Sequence, residues 1–146
     1  MDLTDREATK NAIADVAEKL GPPDIVCAIA GGFDMGTPVH EVPGEDWQKM
    51  MDRNLGTLLS VLAAVTPGMI ERGKGAVVNL SSVHTYHGLT EHSVYAATKA
   101  AVMALTRTLG IELATKGVRM NAIAPGWIHV PNHDKVMGKI DMKAAA

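Results

Sequence analysis

The sequence predicts an α/β fold in which three parallel strands lie side by side and helices make the crossovers between them. Three observations predict it. Three short apolar runs, "DIVCAIAGG", "GAVVNLSS" and "VRMNAIAPG", each stop on glycine, serine or proline, the mark of strands buried on both faces. The stretches between them carry helical periodicity over several turns, too long for hairpins. Strands separated by such helices need crossover connections, so the sheet is parallel, with the linking helices on one side of it.

Each element follows in order. "TDREATKNAIADVAEKLG" opens on a capping box, Thr4 with Glu7, places Ile13, Val16, Ala17 and Leu20 on one stripe, and closes on Gly21. The first strand comes next. A long helix runs from about Glu45 to Arg72 and contains Pro67, which should kink or split it. The second strand leads into a second long helix, "SVYAATKAAVMALTRTLGIELATKG", ended by Gly117. Pro125 and Gly126 stop the third strand. Beyond Ile128 periodicity is lost, and the tail "VMGKIDMKAAA" starts a helical pattern with no clear end.

With 146 residues, 47% apolar and 21% charged, the chain is one globular domain at most. A net charge of −2 and only two Trp, two Tyr and one Phe leave no basic stripe with stacking rings, which argues against a nucleic-acid partner. The start "MDLTDREATK" lacks the blocks of a signal peptide, and "TLLSVLAAVTPGMI" is too short and interrupted to span a bilayer. The expected location is cytoplasmic, without a membrane. The single cysteine, Cys27, reads as a reduced, buried structural thiol.

One consequence is a bare sheet face. Strands apolar on both sides need cover on both, yet every helix lies on one. Leaving Ile25 and Ile29, Val78 and Leu80, and Met120 and Val118, or their alternates, in water forfeits burial comparable with the stability of a whole domain. The chain therefore reads as part of something larger.

The chemistry starts at "SVYAATKAA", where Tyr95 and Lys99 stand four positions apart in a helix of small residues, so that the phenol and the amine share a face. Ser82 sits at the carboxyl end of the second strand, where open parallel sheets bind ligands. Asn54, in "MMDRNLGT", interrupts a helical pattern that asparagine does not favour.

The ordered set "DRNLGT", "GAVVNLSSV" and "SVYAATKAAVMALTRTLGIELATKGVRMNAIAPG" resembles the short-chain dehydrogenase/reductase family of the Tyr-x-x-x-Lys type, over nearly the whole chain. The resemblance implies a partial Rossmann-like, doubly wound parallel sheet and hydride transfer between NAD or NADP and a secondary alcohol or ketone. It makes Tyr95 the general acid/base, since a phenol needs help to exchange its proton at neutral pH. Lys99 supplies the positive charge that favours phenolate and holds the nicotinamide ribose. Ser82 holds the substrate oxygen, and Asn54 anchors a water passing protons from Lys99 to solvent. By the same resemblance Asp2 and Leu3 lie beside the adenine, Ala30 and Gly31 beside the adenosine ribose, and Pro125, Gly126 and Ile128 beside the nicotinamide amide. The helices 45–72 and 93–116 pack against another subunit in a homo-oligomer.

Two departures stand out: "AIAG", Ala28 to Gly31, replaces the usual Asn-Asn-Ala-Gly and removes an asparagine that braces the strands, and Val130 stands where a threonine commonly meets the cofactor. The family's opening strand, glycine-rich turn and helix, and its last helix and strand, are not matched, so the 146 residues resemble the middle of such a domain. A different class of reading keeps the same residues as a non-catalytic remnant that docks through the long helices. Other features read plainly. "GMIERGKG" fails as a phosphate loop, because a glycine follows its lysine and the context is helix before strand. His84, His87 and His92 lack a cysteine or carboxylate to complete a metal set, so no metal is expected and a substrate-contacting histidine is the better reading. Trp47 reads as packing for the long helix, and the nine methionines as core filling.

Overall fold

The computed structural model describes residues 1–33 and 36–128. Helix α1 is Arg6–Leu20, strand β1 is Ile25–Ala28, helix α2 is Gly44–Met51, helix α3 is Thr57–Arg72, strand β2 is Gly75–Leu80, helix α4 is Ser93–Ala114 and strand β3 is Val118–Ile123. The strands form one parallel sheet in the order β1, β2, β3, the arrangement expected from the alternation of elements. Val130 and the tail "VMGKIDMKAAA" lie outside the described residues.

The N-terminus of α1 differs from expectation. Its cap is Asp5, whose carboxylate accepts the Ala8 N–H at 3.0 Å. The Thr4–Glu7 box does not form, because the Thr4 N–H and hydroxyl both donate to the Asp2 carboxylate, at 2.9 and 2.8 Å. Helix α1 packs mainly on α3. Thr9 is buried and Ala8, Ala12, Ile13 and Ala17 are partly covered, while Val16 and Leu20 stand exposed.

The long helix is interrupted, but not where expected. It runs on through Pro67, since Leu62, Val65 and Met69 anchor that stretch in the core and one missing hydrogen bond does not undo it. The irregularity is a π turn, Asp52–Gly56, centred on Asn54 between α2 and α3. The resulting run, Gly44–Arg72, is long and apolar enough by length and composition to cross a membrane, so the stretch is not too short, as it looked. Its buried Leu58, Leu62, Val65 and Met69 give it the place of a core helix.

Helices α3 and α4 cover one face of the sheet. Leu58, Leu62, Val65 and Met69 of α3 and Val102 and Leu113 of α4 close over Val77, Val118 and Met120, with Val26 and Ala28 alongside. Register places Ile25 beside Ala76, Cys27 beside Val78, and Leu80 beside Ile123 on the opposite face. There Ile25 is 71% exposed, Ile29 63% and Ile123 54%. The bare face is thus present, with one correction, at Cys27. On β3 it carries Arg119, Asn121 and Ile123, while Val118 and Met120 are buried. Cys27 is exposed, because its place in β1 points it to the face no helix covers.

Ala28 pairs in register with Asn79, which is fully buried and donates from Nδ2 to Thr106 Oγ1 at 2.9 Å, while Asn79 Oδ1 has no partner among the described residues. One glycine is required by the tight turn into β3. Gly117 has φ +76°, and a Cβ there would fall 2.0 Å from the Gly73 carbonyl oxygen.

Candidate functional site

Ser82 is placed by the end of β2. The strand runs into Ser81, whose hydroxyl donates to the Lys99 carbonyl at 2.9 Å and ties the strand end to α4. Ser82 is extended and buried, and its Oγ caps the short turn Val83–Thr85 by accepting the His84 N–H at 3.3 Å. The Thr85 hydroxyl returns a bond to the Ser82 carbonyl at 2.9 Å, and the Val83 N–H donates to the Pro125 carbonyl at 3.1 Å. The loops after β2 and β3 are thereby joined.

Helix α4 carries Tyr95 and Lys99 one turn apart, as their spacing dictates. Lys99 is only 4% exposed, and its Nζ donates to the Leu80 carbonyl at 3.0 Å and lies 5.8 Å from the centre of the Tyr95 ring. Burial holds its ammonium below the ordinary lysine range, since the charged form loses hydration. The Tyr95 ring is half-buried and wedged edge-on between Phe33, at 4.8 Å, and His84, at 6.1 Å between ring centres.

Asn54 is buried in the π turn and uses its amide to bracket the loop after β1. Oδ1 accepts the Gly32 N–H at 2.9 Å, and Nδ2 donates to the Gly32 carbonyl at 3.1 Å and to Met50 Sδ at 3.0 Å. A π turn adds one residue to the helical turn, which aims this side chain off the helix and onto the loop. A Cβ on Gly31 would sit 2.6 Å from Asn54 Oδ1 and 3.5 Å from Lys99 Nζ, so both side chains meet beside a backbone that must stay bare.

A cavity of about 330 Å³ opens at the carboxyl ends of the strands. Ser82, Tyr95, Gly126 and Ile128 line it together, with Phe33, Leu80, His84 and Trp127 completing the wall. Pro125 supports this wall through its carbonyl. Leu3 and Ala30 line a separate hollow of about 90 Å³ on β1, with Thr57 and Val61 of α3 across from them. Asp2 is engaged locally: its carboxylate accepts from the backbone and then the side chain of Thr4, which lowers its pKa below the usual value. Among the described residues no three of His, Cys, Asp and Glu converge as a metal set would.

Sequence reasoning missed Phe33 and Trp127 and misplaced Trp47. Phe33 stacks on His92, with centres 4.6 Å apart and 11° between planes, and touches Trp127 edge-on at 6.2 Å. The signal was available, since an aromatic in a glycine-rich loop just past a strand end has no core to enter. Trp47 is 46% exposed in the first turn of α2, where a hollow of about 310 Å³ shared with Thr37, Val42 and Tyr95 takes the place of a packing partner.

A bare backbone at Gly31, a hollow by Leu3 and Ala30, and a larger cavity holding a phenol and a serine thus lie along the carboxyl ends of the strands. The family model for short-chain dehydrogenases matches residues 1–140. The chain is 39% identical over 136 residues to the 2-dehydro-3-deoxy-L-rhamnonate dehydrogenase (NAD(+)) of Sphingomonas sp. (strain SKA58), covering 93% of this chain and 55% of that one. It is 42% identical over 126 residues to serine 3-dehydrogenase of Rhizobium radiobacter, covering 86% and 50%. Among solved structures, NAD+-bound xylitol dehydrogenase superposes with a TM-score of 0.84 at 31% identity, over 88% of this chain and 50% of that one. ElxO with NADP bound superposes with a TM-score of 0.89 at 28% identity, over 99% and 59%. The chain spans about half the length of the curated relatives it matches. With the family model matched along almost its full length and a Rossmann-like sheet presenting the paired phenol and amine at the strand ends, the chain belongs to the short-chain dehydrogenase/reductase family.

Proposed function

We propose that the protein is an oxidoreductase in which bound NAD or NADP supplies or accepts the hydride of a secondary alcohol/ketone pair. The observation that carries this reading is a half-buried Tyr95 and a Ser82 hydroxyl on one cavity, with the buried Lys99 amine 5.8 Å from the phenol ring. In reduction the Tyr95 hydroxyl gives its proton to the carbonyl oxygen, and in oxidation it takes the proton back. The Ser82 hydroxyl holds the same oxygen. The Lys99 ammonium favours the phenolate and binds the ribose, and its lowered pKa suits it to pass a proton on. Asn54, beside Lys99 at Gly31, anchors the water that carries that proton outward. Leu3 with Asp2, Ala30 with Gly31, and Pro125, Gly126 and Ile128 hold the cofactor from adenine to nicotinamide.

The relatives' names, a deoxy sugar acid dehydrogenase and a serine dehydrogenase, support a small hydroxylated substrate. The exposed sheet face supports a further layer over Ile25, Ile29 and Ile123, so that these residues act as the centre of a larger domain. The groove between α3 and α4, lined by Leu59, Ala63, Leu105 and Leu109, supports a homo-oligomer formed through these helices. The same exposed surfaces favour a second reading, a non-catalytic module that docks on intact subunits.

Titration of the purified chain with NADH, followed by nicotinamide fluorescence, separates the two. Saturable binding is expected. Tyr95→Phe should keep that binding and lose turnover by about 10²–10⁴-fold. Absence of binding would leave only the docking module, and unchanged turnover in the variant would remove Tyr95 from the chemistry.

A further inference from the structure

We infer that Ser81 is a positioning residue: its hydroxyl fixes Lys99 against the end of β2 and, through Lys99 alone, sets how tightly the nicotinamide cofactor binds. The inference rests on the oxidoreductase reading above and deepens it, and it gives Ser81 no contact with cofactor or substrate. Ser81 is buried, as is Lys99.

Lys99 is held at both ends by consecutive residues at the end of β2. Its ammonium donates to the Leu80 carbonyl at 3.0 Å, and its own carbonyl accepts the Ser81 hydroxyl at 2.9 Å. The Ser81 N–H donates to the Ile123 carbonyl at 2.8 Å, so Ser81 is fixed to β3 while it holds α4. A lysine stem is long and flexible, and a bond at the ammonium alone would let the helix backbone shift beneath it. The second tie removes that freedom. The Lys99 carbonyl lies inside α4, where the helical ladder already supplies a donor, so the Ser81 bond adds position rather than satisfying an orphan group.

The rest of the contact shows why a tie matters. Helix α4 meets the sheet through apolar side chains, Val102 and Leu113 over Val77, Val118 and Met120. Apolar contact has no direction, and packed helices slide over such surfaces by small shears. A hydrogen bond, with a set length and angle, resists the slide. Asn79, two residues before Ser81 and on the same side of the strand, makes a companion tie to Thr106 Oγ1 at 2.9 Å, about two turns along α4 from Lys99. Asn79 and Thr106 are buried as well. Of these two ties, the one at Ser81 acts on the turn that carries Tyr95 and Lys99 beside Ser82.

The test is a double-mutant cycle read by NADH binding to the purified chain, followed by nicotinamide fluorescence. Ser81→Ala should weaken binding about three- to tenfold, the yield of one buried hydrogen bond. In the Lys99→Met background it should weaken binding no further. Urea titrations at a series of pH values give a second readout without cofactor, and they decide the case in which Lys99→Met binds too weakly to titrate. Burial lowers the Lys99 pKa, so unfolding free energy rises with pH toward the unfolded lysine value. Ser81→Ala should flatten that rise, because an amine let toward water regains its proton more readily. A merely structural hydroxyl would instead lower stability equally at every pH. If Ser81→Ala does not fold, Ser81→Cys, which keeps a side chain of similar size and weakens the donor, takes its place in both measurements. Equal weakening in both backgrounds, or parallel stability curves, would assign Ser81 to the fold and overturn the inference. NADH binding unchanged by Ser81→Ala overturns it while the oxidoreductase reading stands. A wild-type chain that binds no NADH overturns both.

Discussion

At the scale of single residues the site depends on a buried amine. Lys99 gives up nearly all its hydration and recovers one hydrogen bond, to the Leu80 carbonyl at 3.0 Å. Its charged form is therefore disfavoured in the folded state, and its pKa is lowered. Between that lowered value and the unfolded value of about 10.4, the unfolded chain holds the extra proton, so stability rises with pH across this window. Below the window both states are charged and the fold bears the full cost of the buried charge. Lys99→Met should flatten this alkaline rise in unfolding free energy, measured by urea titration at a series of pH values. A variant as pH-dependent as the wild type would show that the amine is not desolvated. The pairing of Tyr95 with Lys99 was legible from a four-residue spacing. That Tyr95 is wedged between Phe33 and His84 was not, because those three rings come from separate loops and a helix.

At the scale of elements the informative places are the irregular ones. The π turn at Asp52–Gly56 turns Asn54 from the helix onto Gly32, joining α2 and α3 to the loop after β1. The turn into β3 shows a second constraint. Gly73 and Gly117 both have positive φ, but a Cβ on Gly73 would meet nothing within 4 Å, while one on Gly117 would overlap the Gly73 carbonyl. Gly73→Ala should therefore cost about 1–2 kcal/mol, the strain of the left-handed conformation alone. Gly117→Ala should cost clearly more or prevent folding. Urea midpoints of the two variants check this, and equal midpoints would contradict the close approach of the two turns. Helix existence and order were legible in the periodicity. The position of the break was not, since Pro67 is a local signal and core contacts at Leu62, Val65 and Met69 override it.

At the scale of the whole molecule the sheet is covered on one side. Ile25, Ile29 and Ile123 form the apolar part of the other, diluted by Arg119 and Asn121 on β3. For the 146 residues alone this face should bind a hydrophobic dye and drive association at micromolar concentration. Replacing Ile25 and Ile123 together by Glu should reduce both effects without lowering the thermal midpoint, because neither side chain is packed. Dye fluorescence and light scattering provide the check. A monodisperse wild-type chain that ignores the dye would contradict an uncovered face.

The sequence by itself determined the order of strands and helices, the parallel sheet, the bare face and the shared helix face of Tyr95 and Lys99. All of these follow from local periodicity and from spacing along one chain. Only the tertiary structure decided which alternate of β3 faces water, where the long helix is interrupted, that Cys27 and Trp47 are exposed, and that Phe33, His84 and Trp127 wall the cavity. Those outcomes depend on register and on contacts between residues distant in the chain, where a side chain's partner is set by packing rather than by its neighbours in sequence.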